Sequence, residues 1–188
     1  MKKNLGVVPA VFPMPVAIIS AYDENGKPNS MNAAWAMVNA MDKITLFINR
    51  DHKTTKNIIQ TKAFTVAFAT VDTMDVADYV GIASGNNVPD KFEKTGYHQV
   101  KGEHVDAPVI TEFPVTMECE LLELADTENL HAVVGKIVNV IADEKVLTAD
   151  GKVDPSKLNA IVFDPFQSGY YVVGEKVGQA WSNGKKLM

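Results

Sequence analysis

The sequence has few cysteines and no long apolar run. Its single cysteine, Cys119, cannot form a disulfide within the 188-residue chain, so nothing indicates an oxidising compartment and we expect a cytoplasmic protein. No apolar run approaches the roughly 20 residues that a membrane-spanning helix needs. Three prolines, Pro9, Pro13 and Pro15, interrupt the apolar N-terminal residues, which is unlike a signal peptide. We therefore expect neither a membrane protein nor a secreted disulfide scaffold.

Basic charge is also scarce. The chain has 18 Lys and Arg against 23 Asp and Glu. Its net charge of −5 disfavours a protein that binds nucleic acid or anionic membranes non-specifically. The sequence lacks both the G-x-G-x-x-G and the Walker A patterns, so neither a dinucleotide on a Rossmann unit nor nucleoside triphosphate hydrolysis is indicated. No Ser-His-Asp or paired-carboxylate arrangement fits the predicted elements, and no catalytic side chain is assigned. His131 has no second ligand at a suitable spacing, so no metal is predicted.

Short strands dominate the predicted secondary structure. Alternation and β-branched runs predict strands at Val16–Ala21, Ile44–Asn49, Ala63–Ala69, Pro114–Leu124, His131–Ala142, Ala160–Phe163 and Gly169–Val173. The Asn25-Gly26 turn predicts that the first strand forms a hairpin with the next segment. Helices are predicted at Thr54–Gln60 and over 72–83, with one helical turn near 90–94 inside an irregular stretch, 88–105. This pattern indicates a mainly β barrel or sandwich, and the even composition predicts one domain over 1–188.

Two strands carry further expectations. Cys119 falls on the apolar face of its strand by parity, so we interpret it as a small buried hydrophobic residue and not as a redox thiol. His131–Ala142 is apolar on both faces, and few helices are available to cover it. We therefore predict a homodimer.

One stretch, 29–57, combines two features of a ligand site. Small and amide residues surround Trp35 and can present backbone polar groups to the edge of a flat polar ring. Cationic and hydroxyl residues follow just before the predicted helix, where free N–H groups and the helix dipole favour a phosphate. These residues are Arg50, His52, Lys53, Thr54, Thr55 and Lys56. A ring segment joined to a phosphate segment by one strand predicts a flavin mononucleotide (FMN) site.

Each of these residues also has an ordinary structural interpretation. Trp35 could be a core residue, as most tryptophans largely are. Thr54 and Thr55 could be N-caps, a use that is compatible with anion binding. Lys53 and Arg50 could be solvated surface charges, and Arg50 could pair with Asp51.

Several motifs occur together in a familiar order. They are PMPVAIIS (Pro13–Ser20), NSMNAAW (Asn29–Trp35), the T-x-x-N-I of Thr54, Asn57 and Ile58 followed by a strand at Phe64, and SGNNVPDKFEKTG (Ser84–Gly96). Together they resemble the flavin reductase-like, FMN-binding split-barrel family, and within it the flavoredoxin branch. The resemblance implies a split β-barrel with a few short helices, which holds FMN at a homodimer interface.

The resemblance also implies roles for individual residues. It places seven residues along the isoalloxazine edge, namely Asn29, Ser30, Met31, Asn32, Ala33, Ala34 and Trp35. It brings Lys91, in the D-K-F sequence, near the flavin, where a cation would favour the anionic reduced form. It makes His131 a flavin neighbour and allows Phe163 or Phe166 to stack near the ring. The ordinary interpretations are a surface lysine, a buried core histidine and aromatic core residues.

The predicted function is that of an FMN-binding oxidoreductase. It would act as an NADH- or NADPH-dependent flavin reductase or as a flavoredoxin-type electron-transfer protein. One alternative is a non-catalytic flavin-binding carrier that exchanges electrons with a protein partner. Another is a pyridoxamine phosphate oxidase-like enzyme, but that chemistry needs a second basic cluster, which the sequence lacks.

Overall fold

The computed structural model describes all 188 residues and contains twelve strands and four α-helices. The strands are β1 (Met14–Pro15), β2 (Ala17–Tyr22), β3 (Pro28–Ala33), β4 (Ala36–Ala40), β5 (Lys43–Leu46), β6 (Ala63–Phe68), β7 (Gln99–Lys101), β8 (Pro108–Ile110), β9 (Val115–Thr127), β10 (Leu130–Ala142), β11 (Ile161–Asp164) and β12 (Gly169–Val172). The helices are α1 (Lys53–Thr61), α2 (Met74–Ile82), α3 (Lys91–Lys94) and α4 (Pro155–Leu158). None of the helices is long and apolar enough to span a membrane. The predicted mainly β fold is confirmed.

The main sheet has seven antiparallel strands in the order β3-β2-β6-β9-β10-β5-β4. Its two outer strands, β3 and β4, are consecutive in the chain, and only Ala34 and Trp35 separate them. Four consecutive Cα atoms span at most about 11 Å, so the two outer strands must meet at this point. The sheet therefore curls round into a barrel that is split where β3 and β4 diverge.

Strand β2, next to the outer strand β3, is buried on both of its faces. Successive side chains of a strand point to opposite faces, so Ile18 and Ile19 enter different clusters. Ile19 packs with residues of β5, β6 and β9 inside the curled sheet, whereas Ile18 packs with α2, α3 and β11 outside it. This double burial explains the continuous apolar run that predicted the strand. It also positions α2 against the split edge of the barrel.

The predicted elements agree with the structure where the periodicity is strong. The first hairpin, α1, α2, β6, β9 and β10 lie at the predicted places. Cys119 is fully buried, and burial raises the pKa of its thiol to about 12, as expected for a hydrophobic residue rather than a redox thiol. Several features were missed. They are β1, β4, whose side chains from Met37 onward are exposed, α4, and the short β7–β8 hairpin, which begins inside the stretch predicted to be irregular and ends beyond it.

Lys91, the first residue of α3, connects the segment after α2 to the end of α2 through hydrogen bonds. Its Nζ donates hydrogen bonds to the carbonyl oxygens of Val80 (3.0 Å) and Ala83 (2.8 Å), which belong to the last turn of α2. A helix leaves its final carbonyls unpaired, and a cation there is favoured by the helix dipole. The side chain is only 3% exposed, and this burial lowers the pKa of Lys91 to about 8. Lys91 is therefore an internal tether and not a surface lysine.

Gly135 in β10 provides a test of the packing inside the barrel. A Cβ atom built on Gly135 would overlap the ring of the fully buried Phe64. Gly135→Ala should therefore lower the free energy of unfolding by about 1–3 kcal/mol, the usual cost of overpacking a core. Urea denaturation measures this change. Gly174→Ala is the control, because nothing lies within 4 Å of its added Cβ, and equal effects of the two substitutions would contradict the predicted clash.

The buried charge of Lys91 predicts a pH dependence of stability. Its pKa is about 8 in the folded chain and about 10.4 when unfolded, so between these values the unfolded chain binds a proton that the folded chain has released. We therefore consider the difference in the free energy of unfolding between the wild-type protein and Lys91→Met. This difference should rise with pH from 8 to 10.4, by up to about 1.4 kcal/mol per pH unit. Chemical denaturation across this range measures the difference. Lys94→Met, on the same helix but exposed, should show no such rise, and a flat difference for Lys91→Met would contradict the prediction.

Candidate functional site

A cleft lies at the split of the barrel, between β3, the start of α1, α2 and the β11–β12 hairpin. It has two adjoining parts, which share Met31, Asn32, His52, Gly81 and Ile82. The apolar compartment has a volume of about 320 Å³ and is lined mainly by hydrophobic side chains. The polar compartment has a volume of about 350 Å³ and lies over the start of α1. A ligand that spans both compartments would have one apolar end and one polar end.

The polar compartment is built on the N-terminus of α1. The N-cap is His52, which has an extended backbone and makes no side-chain cap, so the alternative interpretation of Thr54 and Thr55 as caps does not hold. The cap lies earlier because the helix already begins at Lys53. The N–H groups of Lys53, Thr54 and Thr55 donate no hydrogen bond within the chain. Three free donors and the positive end of the helix dipole favour an anion.

Side chains add to this positive environment. Asn29 Nδ2 donates to Thr54 Oγ1 at 2.6 Å, which leaves the Thr54 hydroxyl proton free to donate into the compartment. Lys53 and Lys91 both line the compartment, and no carboxylate does. Two of the three Lys91 Nζ protons are used by the α2 carbonyls, so one remains. The compartment therefore combines ammonium, hydroxyl and backbone donors without a competing acid.

Two glycines allow the walls of the polar compartment to approach each other. A Cβ built on Gly81 would lie 3.1 Å from Asn32 Cβ, so α2 packs tightly against β3. A Cβ on Gly85 would overlap Asn29 Oδ1 and lie 3.1 Å from Lys53 Cβ. The end of α2 can therefore pack against β3, and the segment after α2 can close over the start of α1, only because Gly81 and Gly85 lack side chains.

The apolar compartment contains most of the predicted ring segment. It is lined by Met31, Asn32, Ala33, Ala34 and Trp35, together with Val16, Phe47, Ile48, Phe163 and Tyr170. Trp35 is 53% exposed, so it is not a core tryptophan, and it lies in the short connection between β3 and β4. Of the two phenylalanines considered, Phe163 lines this compartment, whereas Phe166 does not and is half exposed.

One hydrogen-bonded pair of polar side chains, Tyr170 and Asp78, lies in the apolar compartment. The Tyr170 hydroxyl donates to Asp78 Oδ1 at 2.8 Å, and Asn32 Nδ2 donates to the Ala77 carbonyl at 3.1 Å beside it. Burial and the Asp78 carboxylate together raise the pKa of Tyr170 to about 12, so the phenol stays protonated. Sequence reasoning missed both residues, since they lie far apart in the chain and belong to no motif.

Other predicted residues lie outside the cleft. Asn29, Ser30 and Thr55 are buried behind its wall, where Ser30 Oγ shares a hydrogen bond with Ser20 Oγ at 2.8 Å. Arg50 does not pair with Asp51, because Asp126 at the end of β9 lies closer, with a distance of 2.8 Å from Arg50 Nη1 to Asp126 Oδ2.

His131 pairs with the same carboxylate as Arg50, that of Asp126. Its Nδ1 lies 2.9 Å from Asp126 Oδ1. The ring is partly exposed, so His131 is not a buried core histidine. Within one chain, neither Arg50 nor His131 lines the cleft. No group of three or more His, Cys, Asp or Glu side chains is arranged to hold a metal.

Comparison with known proteins places this geometry in a family. Residues 10–157 match the model of the flavin reductase like domain. Flavoredoxin of Desulfovibrio vulgaris (Miyazaki F) is 36% identical and has a TM-score of 0.93, with 98% of this chain and 100% of that chain covered. Flavoredoxin from Methanosarcina acetivorans is 29% identical with a TM-score of 0.88, and both chains are covered completely.

A more distant structure supports the topology alone. A protein from Shewanella frigidimarina NCIMB 400, described as having a split barrel domain, is 20% identical with a TM-score of 0.77 and is covered over 84% of its length by 88% of this chain. The split-barrel fold predicted from the sequence is thus confirmed. The chain belongs to the flavin reductase like domain family, and within it to the flavoredoxin branch.

Proposed function

We propose that the chain binds FMN in the cleft and transfers electrons from NADH or NADPH to an acceptor in the cytoplasm. The observation that carries this proposal is the junction of the two compartments, because free N–H donors at the start of α1 adjoin a pocket lined by aromatic side chains. FMN has the same division, with a phosphate at one end and a flat ring at the other. Family membership and the similarity to two flavoredoxins support the same cofactor.

The residues present fit the phosphate end of FMN. Lys53, the Thr54 hydroxyl and the three free N–H groups of α1 would hold the phosphate. Asn29 keeps the Thr54 hydroxyl oriented, since it supplies the hydrogen bond that the oxygen accepts. Lys91 lies in the polar compartment rather than in the apolar one, so its charge would act at the boundary between ring and phosphate chain.

The residues also fit the ring end. The backbone of 31–35 and the side chains of Trp35 and Phe163 would contact the ring. FMN, when bound, supplies the capacity to take a hydride from a nicotinamide and to release electrons singly or in pairs. The chain contributes binding, orientation and nearby charge. Backbone N–H groups and the Lys91 ammonium favour the reduced, more anionic state of the ring.

A carrier role with a protein partner is the second candidate. The apolar side chains of Met37 and Val38 are exposed on β4, the strand that follows Trp35 and forms the open edge of the barrel, and Met41 is exposed just after this strand. A protein that docks there would reach the cleft directly. Steady-state oxidation of NADH or NADPH with free FMN added separates the two roles, because a carrier would show little turnover without its partner.

The chain should also form a homodimer. Leu122 in β9 and Leu130 and Val140 in β10 are about half exposed apolar side chains on the long β9–β10 hairpin. A second copy is a simple way to cover this surface, and an obligate interface of this kind is large and apolar.

Binding of FMN can be tested at the start of α1. Lys53→Ala and Thr54→Val should each weaken FMN affinity about tenfold or more, because each removes one charge-assisted bond to the phosphate. Quenching of flavin fluorescence gives the dissociation constants. Lys56→Ala is the matched control, since Lys56 lies on the exposed face of the same helix. Failure of the wild-type protein to bind added FMN would refute the proposed function.

The dimer can be tested by sedimentation. At micromolar concentration the wild-type chain should sediment at twice its mass of 20.5 kDa. Val140→Lys should shift the protein to monomer, because it places a charge in the apolar surface. Val153→Lys, a charge on a partly exposed valine elsewhere, should leave the dimer intact. A monomeric wild-type protein would rule the dimer out.

A further inference from the structure

Residues 174–188, which we call the arm, leave the body of the protein after β12. The last hydrogen bond to the body runs from the Val173 N–H to the Ala160 carbonyl at 3.1 Å. Beyond it every residue is exposed, and every hydrogen bond joins two residues of the arm itself. No ion pair connects the arm to the rest of the chain. The arm therefore makes no polar contact with its own subunit and has no buried residue.

The arm nevertheless has local order around one large apolar side chain. The Gln179 N–H donates to Asn183 Oδ1 at 3.1 Å, and the N–H groups of Ser182 and Asn183 donate to the Gln179 carbonyl. This turn presents Trp181, which is 94% exposed. A packed aromatic side chain buries roughly 150–250 Å², so the exposed indole offers a large apolar area for contact. An ordered turn loses less conformational freedom on docking than a flexible one does.

The arm is also basic, although the whole chain is acidic. It contains three lysines and one glutamate, whereas the chain has a net charge of −5. Lys185 and Lys186 follow Trp181 closely, and neither forms an ion pair. A surface that fits the arm should therefore offer an exposed apolar side chain with carboxylates beside it.

The β9–β10 hairpin has this complementary pattern. Leu122 is half exposed and lies in the sequence between Glu120 and Glu123, which are both exposed. Neither glutamate forms an ion pair, and neither does Lys136, the only lysine or arginine among residues 115–142. Five acidic residues lie in the same range. Opposite unpaired charges around exposed apolar side chains favour contact between the arm and a hairpin.

The hairpin that the arm can cover is that of a second copy. Within one subunit the arm is exposed throughout and leaves Leu122 uncovered. Trp181 lies eight residues beyond Val173, so an extended arm can carry it roughly 27 Å from the end of β12. The hairpin is also the surface through which we expect the homodimer to form. In a two-fold dimer each arm would meet the hairpin of the other subunit in the same way.

We propose that the arm of each subunit docks on the β9–β10 hairpin of the other subunit. Trp181 packs against Leu122 there, and the two lysines that follow Trp181 lie beside the two glutamates that flank Leu122. The proposal rests on the homodimer of the proposed function. The indole supplies most of the affinity, because interface tryptophans often dominate binding, whereas exposed ion pairs contribute little each and mainly set the register.

Cross-linking in mixed dimers locates the arm. Protein labelled with ¹⁵N is mixed with unlabelled protein until native mass spectrometry shows mixed dimers, and a carbodiimide then joins lysine amines to carboxylates. Peptides that contain Lys185 or Lys186 should be joined to peptides that contain Glu120 or Glu123, and some joined pairs should have one labelled half and one unlabelled half. Joined pairs with matching labels only, or no such pairs, would overturn the proposal.

Sedimentation of a dilution series measures the contribution of the indole. Trp181→Ala should raise the dissociation constant of the dimer about tenfold or more, as removal of a central interface tryptophan does. A chain that ends at Val173 should show a similar increase and an unchanged fold by circular dichroism, because the arm makes no polar contact with its own subunit. Val71→Ala is the control, since it shortens an exposed apolar side chain on the turn before α2. Equal constants for Trp181→Ala and the wild-type protein would contradict the proposal.

A cycle of charge substitutions tests the register. Replacement of both Lys185 and Lys186 by Gln should weaken the dimer about threefold to tenfold, and replacement of both Glu120 and Glu123 by Gln should do the same. All four substitutions together should weaken it no more than either pair alone, because each pair already removes the same contacts. Independent effects, or a tighter dimer after loss of the glutamates, would place the arm elsewhere and overturn the proposal.

These outcomes are distinguishable from a failure of the proposed function. Trp181 lines neither compartment, so Trp181→Ala should bind FMN as the wild-type protein does when both are dimeric. A wild-type dimer that depends on the arm but binds no FMN would refute the cofactor and support the arm. A dimer that is unaffected by loss of the arm would overturn the arm alone, and a monomeric wild-type protein would overturn both the homodimer and the arm.

Discussion

The two-residue connection between β3 and β4 is the constraint on which the rest of the structure depends. These strands lie at opposite ends of the seven-stranded order, yet Ala34 and Trp35 alone join them. The sheet can satisfy both conditions only by curling until its edges meet. The split left between the edges is where the cleft opens, so the same short segment closes the barrel and provides a wall of the site.

Covering the curled sheet determines what else surrounds the cleft. Because β2 is buried on both faces, α2 and the β11–β12 hairpin must pack on its outer side. Lys91 then ties the end of α2 to the following loop, and Gly81 and Gly85 permit the close contact with β3 and α1. The polar compartment thus results from the way α2 and the loop after it are held against β3 and α1. Its positive character comes from two lysines and from a helix start that has no acidic residue in its first turn.

Much of this arrangement could be predicted from the sequence, because local patterns carry it. The Asn25-Gly26 turn, the alternation of β9 and the basic residues before α1 each act within a few positions of the chain. What could not be predicted depends on contacts between distant segments. The bond between Asp78 and Tyr170 joins residues 92 positions apart, and the pairing of Arg50 with Asp126 depends on how the β9–β10 hairpin folds back. The alternative interpretation of Thr54 and Thr55 as N-caps rested on a local rule, and it does not hold because α1 begins at Lys53, with His52 as its N-cap.

The place of the β11–β12 hairpin in the chain has a consequence for the order of assembly during synthesis. The ring segment and the start of α1 lie in the first third of the chain, whereas Phe163 and Tyr170 come from its last sixth. A chain that emerges from the ribosome N-terminus first has α1 long before the opposite wall of the cleft exists. The cleft is therefore completed only after Tyr170 has been synthesised, when its hydroxyl can reach Asp78.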